Sequence, residues 1–345
     1  MLLFFKNYIK DTFLYPQPTV GDKPRIEFVD LAKGGCILLV IAWHCSAFAD
    51  EIPNVSRLIR MPLYFVISGL FYKDYGGWLL TIVKKVNRLI IPFVFFFLLS
   101  YAFLAIGRRL GLIEHSDSDI TDLFYHRDIY NVALWFLLCL FNINVIFTLL
   151  RLLSVNEIYL AVVSIACGGV GYWLSVSGLY LPFYVDTALT AMPMFYFGHL
   201  LSRTKLLYPS RLDWWGMLCG ALILVVVYIV YNSLECRAFV YYHNRLECNF
   251  LVADLLSIAG VFGLLMVLKP IKWLPVVSMI GRYSIVALCL HNILLALING
   301  FLKPISCEMA FVLTVVACWV VTPLFVKFLP WFTAQKDLIT LPRKK

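Results

Sequence analysis

Runs of apolar residues, each bounded by polar or basic stretches, recur along the chain from residue 31 to residue 329. A helix needs about 20 predominantly apolar residues to cross the hydrocarbon core. The pattern predicts spans near 31–49, 58–73, 88–107, 132–152, 157–177, 186–201, 213–232, 250–268, 280–300 and 309–329. The second and sixth are short, and each contains a proline, Pro62 or Pro193. The expected fold is all-α, a polytopic membrane bundle of about ten transmembrane helices. Its parts are an N-terminal segment 1–30, a transmembrane domain 31–330 and a basic tail 331–345. The opening MLLFFKNYIKDTFL mixes apolar and basic positions, as in a helix along the inner interface or a disordered leader. RMPLYF at 60–65 and AMPMFY at 191–196 are alike, and both sit in the short spans. Interrupted helices of this kind often border a buried polar site.

Composition agrees with a bilayer solvent: 62% of residues are hydrophobic, 14% charged, and the mean hydropathy is +0.85. A soluble domain carries about 25% charged residues. The net charge of +9 would suit nucleic acid, but its placement follows topology. With the N-terminus inside, 21 of the 29 lysines and arginines fall on the inner side, so both termini are expected in the cytoplasm. The charge then serves contact with anionic lipid, in a multi-pass protein of the cell membrane, the inner membrane if bacterial. No secretory signal is apparent ahead of the first long apolar run. The ten cysteines show no zinc-type spacing. Cys236 and Cys248 share a loop placed outside, where a disulfide is permitted. The outer loop 108–131 holds His115, Asp117, Asp119, Asp122, His126 and Asp128, for which a solvated loop is a better account than a metal site.

Ionisable groups at membrane depth are costly, and they are the default functional candidates. Lys33 and His44 are 11 residues apart, which puts them on one helix face about 16 Å apart along the axis. A low-dielectric setting favours neutral imidazole. Such a ring can accept a proton from a hydroxyl or carry an acyl group itself. Lys33, at the inner surface, can bind an anion such as phosphate. A hydrogen-bonded buried histidine and a snorkelling lysine fit the same pattern. His291 lies at matching depth in the ninth span, with Ser284 seven residues earlier on its face; an interhelical hydrogen bond would also explain it. Lys84, Lys85 and Arg88 cluster at the inner mouth of the third span, either as a topology signal or as a seat for phosphates. Trp135 suits an interfacial aromatic belt, or a platform for a sugar ring if it faces inward.

In this order the residues resemble the membrane acyltransferase-3 family. RIEFVDLAKGGCILLVIAWH (25–44) resembles its Asp-x-x-Lys/Arg opening followed by a catalytic histidine. MPLYFVISGLF (61–71), KKVNRLIIP (84–92), LWFL (134–137), MPMFYFG (192–198) and IGRYSIVALCLH (280–291) resemble five further family segments. The resemblance implies O-acylation of a surface glycan: acyl-CoA, with acetyl-CoA the expected cosubstrate, arrives from the cytoplasm and the acceptor from outside. It makes His44 the catalytic histidine, with Lys33 its basic partner. It also places Lys84, Lys85, Arg88 and Asp30 at acyl-CoA, and His291, Trp135, Ser68 and Ser284 at the acceptor. Lys33 departs from the arginine of many relatives, and no appended domain is expected after the tenth span.

The resulting expectation is a membrane-bound, acyl-CoA-dependent O-acyltransferase acting on a cell-surface or lipid-linked glycan, with no bound cofactor or metal and no nucleic acid partner. Its oligomeric state is left open. Two other readings compete on residue chemistry alone. Interior histidines and broken helices suit a transporter of a glycan or related metabolite, and a structural subunit of an assembly complex would need neither.

Overall fold

In a computed structural model, the chain is described over residues 2–14, 26–48, 54–111, 118–125, 129–204, 208, 210, 212–234, 240–245, 249–302 and 304–341. Among these residues the fold is all-helical, with 78% helix and no strand. Seven helices are long and apolar enough to cross a membrane: Trp78–Arg109, Val132–Leu153, Glu157–Val176, Asp213–Ser233, Phe250–Leu268, Ser284–Leu302 and Cys307–Phe328. The protein is therefore a multi-pass membrane protein.

Among the described residues, three further helical segments fall short of a simple span, each for a visible reason. Glu27–His44 carries Glu27, Asp30 and Lys33 in its first two turns. Arg57–Leu70 has only 14 residues. The third is broken at Ala191 into Val185–Thr190 and Met192–Leu201, with Pro193 in the first turn of the second piece, where its missing N–H costs no bond. These segments are well enclosed. Eleven of 18 residues are buried in the first and 10 of 14 in the second, against three of 21 in Asp213–Ser233. Apart from the largely buried Val132–Leu153, the long apolar helices form the outer shell, which frees the inner segments to carry polar groups.

Two close crossings set the interior. A Cβ on Gly281 would collide with the carbonyl oxygen of Asp30, and one on Gly34 with that of Val277. A Cβ on Gly69 would collide with the carbonyl of Phe195, and one on Gly198 with that of Val66. The two alike segments, MPLYFVISGL and MPMFYFG, thus pack directly on each other through reciprocal glycines. Small residues let backbones approach where lipid supplies no hydrophobic drive.

The helix Trp78–Arg109 changes to a π turn over Val86–Ile90, just ahead of Pro92. Proline cannot donate to the preceding turn, and a wider turn absorbs the mismatch. Asn87 in this turn is buried, and its Oδ1 accepts from the amides of Leu338 (2.7 Å) and Ile339 (2.8 Å). The C-terminal segment is thereby docked onto the bundle, with Phe332 stacked on Phe95 at 4.3 Å. At the other terminus, Leu2–Phe13 is a helix and not a disordered leader. Its Tyr8 hydroxyl donates to the Trp319 carbonyl (3.0 Å), and its Thr12 carbonyl accepts from Trp273 Nε1 (3.2 Å).

Candidate active site

His44 is the last residue of the helix Glu27–His44, and that helix runs unbroken from Lys33. The two side chains therefore share a face, separated by about 16 Å of helical rise. Packing of Ser284–Leu302 against this helix brings His291 to His44, with ring centroids 5.1 Å apart and planes at 48°. His291 is fully buried. Its Nδ1 is 3.1 Å from the Ala287 carbonyl, and a carbonyl can only accept, so Nδ1 carries the proton. The lone pair is then on Nε2, which has no hydrogen-bond partner among the described residues. Asn131 steadies this region. Its Nδ2 donates to the Cys289 carbonyl (2.8 Å) and to Ser100 Oγ (3.0 Å), and its Oδ1 accepts from Asn292 Nδ2 (3.1 Å).

His44 lines a cavity of about 310 Å³, which His291 backs without lining it. Trp135, 5% exposed, forms another wall and faces inward against Tyr184 and Tyr242. Tyr241, Tyr242 and His243 cover the space. Their loop is pinned to the break in the short helix pair. Thr187 Oγ1 donates to the Tyr241 carbonyl (3.0 Å), and Thr190 Oγ1 to Asn244 Oδ1 (2.8 Å). The interruption predicted from Pro193 thus supports the cavity's cover.

The remaining wall holds two residues that sequence reasoning passed over. Arg57 and Arg60 both lie over the Trp43 indole, 4.5 and 5.0 Å from its centroid, and both line the cavity with His44. Arg60 is 8% exposed and donates through Nη1 to the Leu39 carbonyl at 3.3 Å. In the topology of the chain both count only as outside charges. An Arg-x-x-Arg pair opening a short span was the available signal, since like charges one turn apart are costly unless something answers them.

The other predicted residues gather at the opposite end of the bundle. Lys33 Nζ meets Asp30 Oδ1 at 2.7 Å, so the two form an ion pair. Lys84 is paired with Asp337 of the docked tail. Lys85 Nζ lies 5.7 Å from the Tyr72 ring centroid, which Arg151 also approaches at 5.5 Å, and Arg88 is exposed. Ser68 and Ser284 do not reach the cavity. Ser68 Oγ accepts from Asn144 Nδ2 (3.1 Å), and Ser284 lies beside Tyr64, whose hydroxyl donates to the Lys33 carbonyl (2.7 Å). Ser284 shares a face with His291 but starts its helix about 10 Å lower, at the basic end. In the loop, Asp119 and Asp122 accept from backbone amides of their own turn. His115, Asp117, His126, Asp128, Cys236 and Cys248 lie outside the described residues, among which no acidic, histidine and cysteine cluster could hold a metal.

This arrangement can do acyl chemistry: an imidazole reachable from a cavity, backed by a second imidazole, with a basic cluster toward the other end of the same helix. Neither a curated protein nor a solved structure matches the chain. A family profile described as an acyltransferase domain matches residues 26–327, nearly the whole length and every segment of the constellation. The chain belongs to the acyltransferase-3 family of membrane acyltransferases.

Proposed function

We propose that the protein transfers an acyl group, acetyl or similar, from cytoplasmic acyl-CoA to a hydroxyl of a cell-surface or lipid-linked glycan. The observation that carries this reading is the placing of His44 on the cavity wall, at the far end of the helix from the basic cluster. All ten helical segments cross the cell membrane in this reading, with both termini cytoplasmic and the cavity open to the outer side.

Lys85 and Arg88, with Lys84 once Asp337 gives way, seat the anionic part of the donor. The Asp30–Lys33 pair stands at the same mouth and sets the local field. The thioester reaches His44 along the bundle, and a sugar ring rests on Trp135. His44 accepts the proton of the acceptor hydroxyl as its oxygen bonds to the thioester carbon. The C–S bond breaks, the acyl ester forms, and the proton held by His44 goes to the departing thiolate. His291 is a positioning residue behind His44, not an acceptor ligand.

The test is incubation of membranes with labelled acyl-CoAs, followed by measurement of label on glycan. His44→Ala is expected to lower transfer about 10²- to 10⁴-fold, the usual contribution of a general base, while expression and membrane insertion stay unchanged. Full activity in that variant would refute the assignment.

A further inference from the structure

The cavity contains an electrostatic imbalance that acyl transfer to a neutral sugar does not use. Arg57 and Arg60 sit one helical turn apart and lean on the same indole ring. Neither has a carboxylate partner among the described residues, and the described lining holds two arginines and two histidines but no acid. Arg60 is more than nine-tenths buried, yet a single Nη1 contact to a carbonyl occupies only part of its five-donor fork. A buried guanidinium without a counter-charge is costly, and its plane matches a carboxylate or phosphate edge. Trp43 holds both guanidinium groups beside the cavity, so the pair is already set for a ligand.

We propose that the acceptor is an acidic sugar unit. It would carry a carboxylate or phosphate close to the reacting hydroxyl, and Arg57 and Arg60 would bind that anion while His44 faces the hydroxyl. This inference rests on the proposed function and names the substrate class of that site. The cavity's roughly 310 Å³ lies at the small end of ligand pockets, about 300–1,000 Å³, and has room for one charged sugar unit at a time. The donor's own phosphates are not the anion in question, because the donor cluster lies at the other end of the bundle.

The experiment is calorimetric titration of the purified full-length protein in detergent, without acyl-CoA. The probes are methyl glucuronoside, glucose 1-phosphate and neutral methyl glucoside. Both charged sugars, or one of them, are expected to bind at least about tenfold more tightly than the neutral one, the scale of one charge-assisted hydrogen bond. The tighter of the two identifies the anion as sugar carboxylate or carrier phosphate. Arg60→Gln is expected to erase the preference and Arg60→Lys to keep part of it, and Arg57→Gln serves if Arg60→Gln does not fold. Equal binding of charged and neutral sugars, or a preference that survives both glutamine variants, would overturn the proposal. So would glutamine variants that weaken only the use of an acyl-CoA whose acyl group bears its own carboxylate, since the pair would then serve the donor. Charge preference without any acyl transfer to glycan would instead refute the proposed function and leave the anion site standing.

Discussion

At one end of the bundle Lys33, Lys84, Arg203 and Lys269 each meet a carboxylate, from Asp30, Asp337, Glu157 and Asp213. At the other end, Arg57 and Arg60 meet an indole and, for Arg60, a backbone carbonyl, with no carboxylate partner among the described residues. Both ends are rich in cations, yet their charges do different work. Paired cations tie helix termini together and give a ligand little to hold. Exposed pairs of this kind contribute about 0–1 kcal/mol, and breaking a buried pair costs more because a lone charge is left behind. Under the proposed function, the contrast leaves as donor seat the cations at the basic end with no carboxylate partner among the described residues, Lys85 and Arg88 chief among them. It also turns Lys84 into a site that the chain's own tail occupies.

The largest expected effect that sharpens this contrast comes from behind the cavity. His291→Ala leaves the cavity lining untouched but removes the ring that backs His44. It is expected to lower kcat about 10²-fold, as misplacing a reacting group by an ångström does, while KM for donor and acceptor stays within about twofold. Steady-state kinetics on purified enzyme would check this, and a raised acceptor KM would return His291 to acceptor binding. Next comes the basic end. Lys85→Gln with Arg88→Gln is expected to raise donor KM about tenfold or more, the loss of charge-assisted contacts, without changing acceptor KM. The reverse pattern would mean that the cavity and the donor seat are exchanged. The smallest effect belongs to the tail. Asp337→Asn frees Lys84 and is expected to lower donor KM by about two- to threefold, in line with a partly exposed ion pair. A higher KM would show that the docked tail helps to build the seat and does not compete for it.

Much of this architecture was legible in the residues. Apolar period and length located the helices, because a bilayer leaves few ways to satisfy the backbone. Equal rise along two helices brought His44 and His291 to one level, where the structure puts their rings in contact. The inward face of Trp135 needed tertiary packing, since an aromatic belt and a cavity wall look alike along a single helix. Ser68 and Ser284 illustrate the limit of face arguments: sharing a face with a site residue fixes direction but not height. The Asp30–Lys33 pair was readable from its i,i+3 spacing, whereas Asn87 gripping the chain near Leu338 was not, because no local pattern reports a contact 251 residues away. Arg57 and Arg60 were hidden by their usefulness as topology markers.

The most direct test of two-ended access to His44 is a sidedness measurement. The purified protein is reconstituted in vesicles with a known orientation, labelled acyl-CoA is supplied only to the basic end, and a glycan acceptor is enclosed on the cavity side. The account expects label on the enclosed acceptor with the native protein and none with His44→Ala. Transfer that occurs only when donor and acceptor share one side of the bilayer would contradict it.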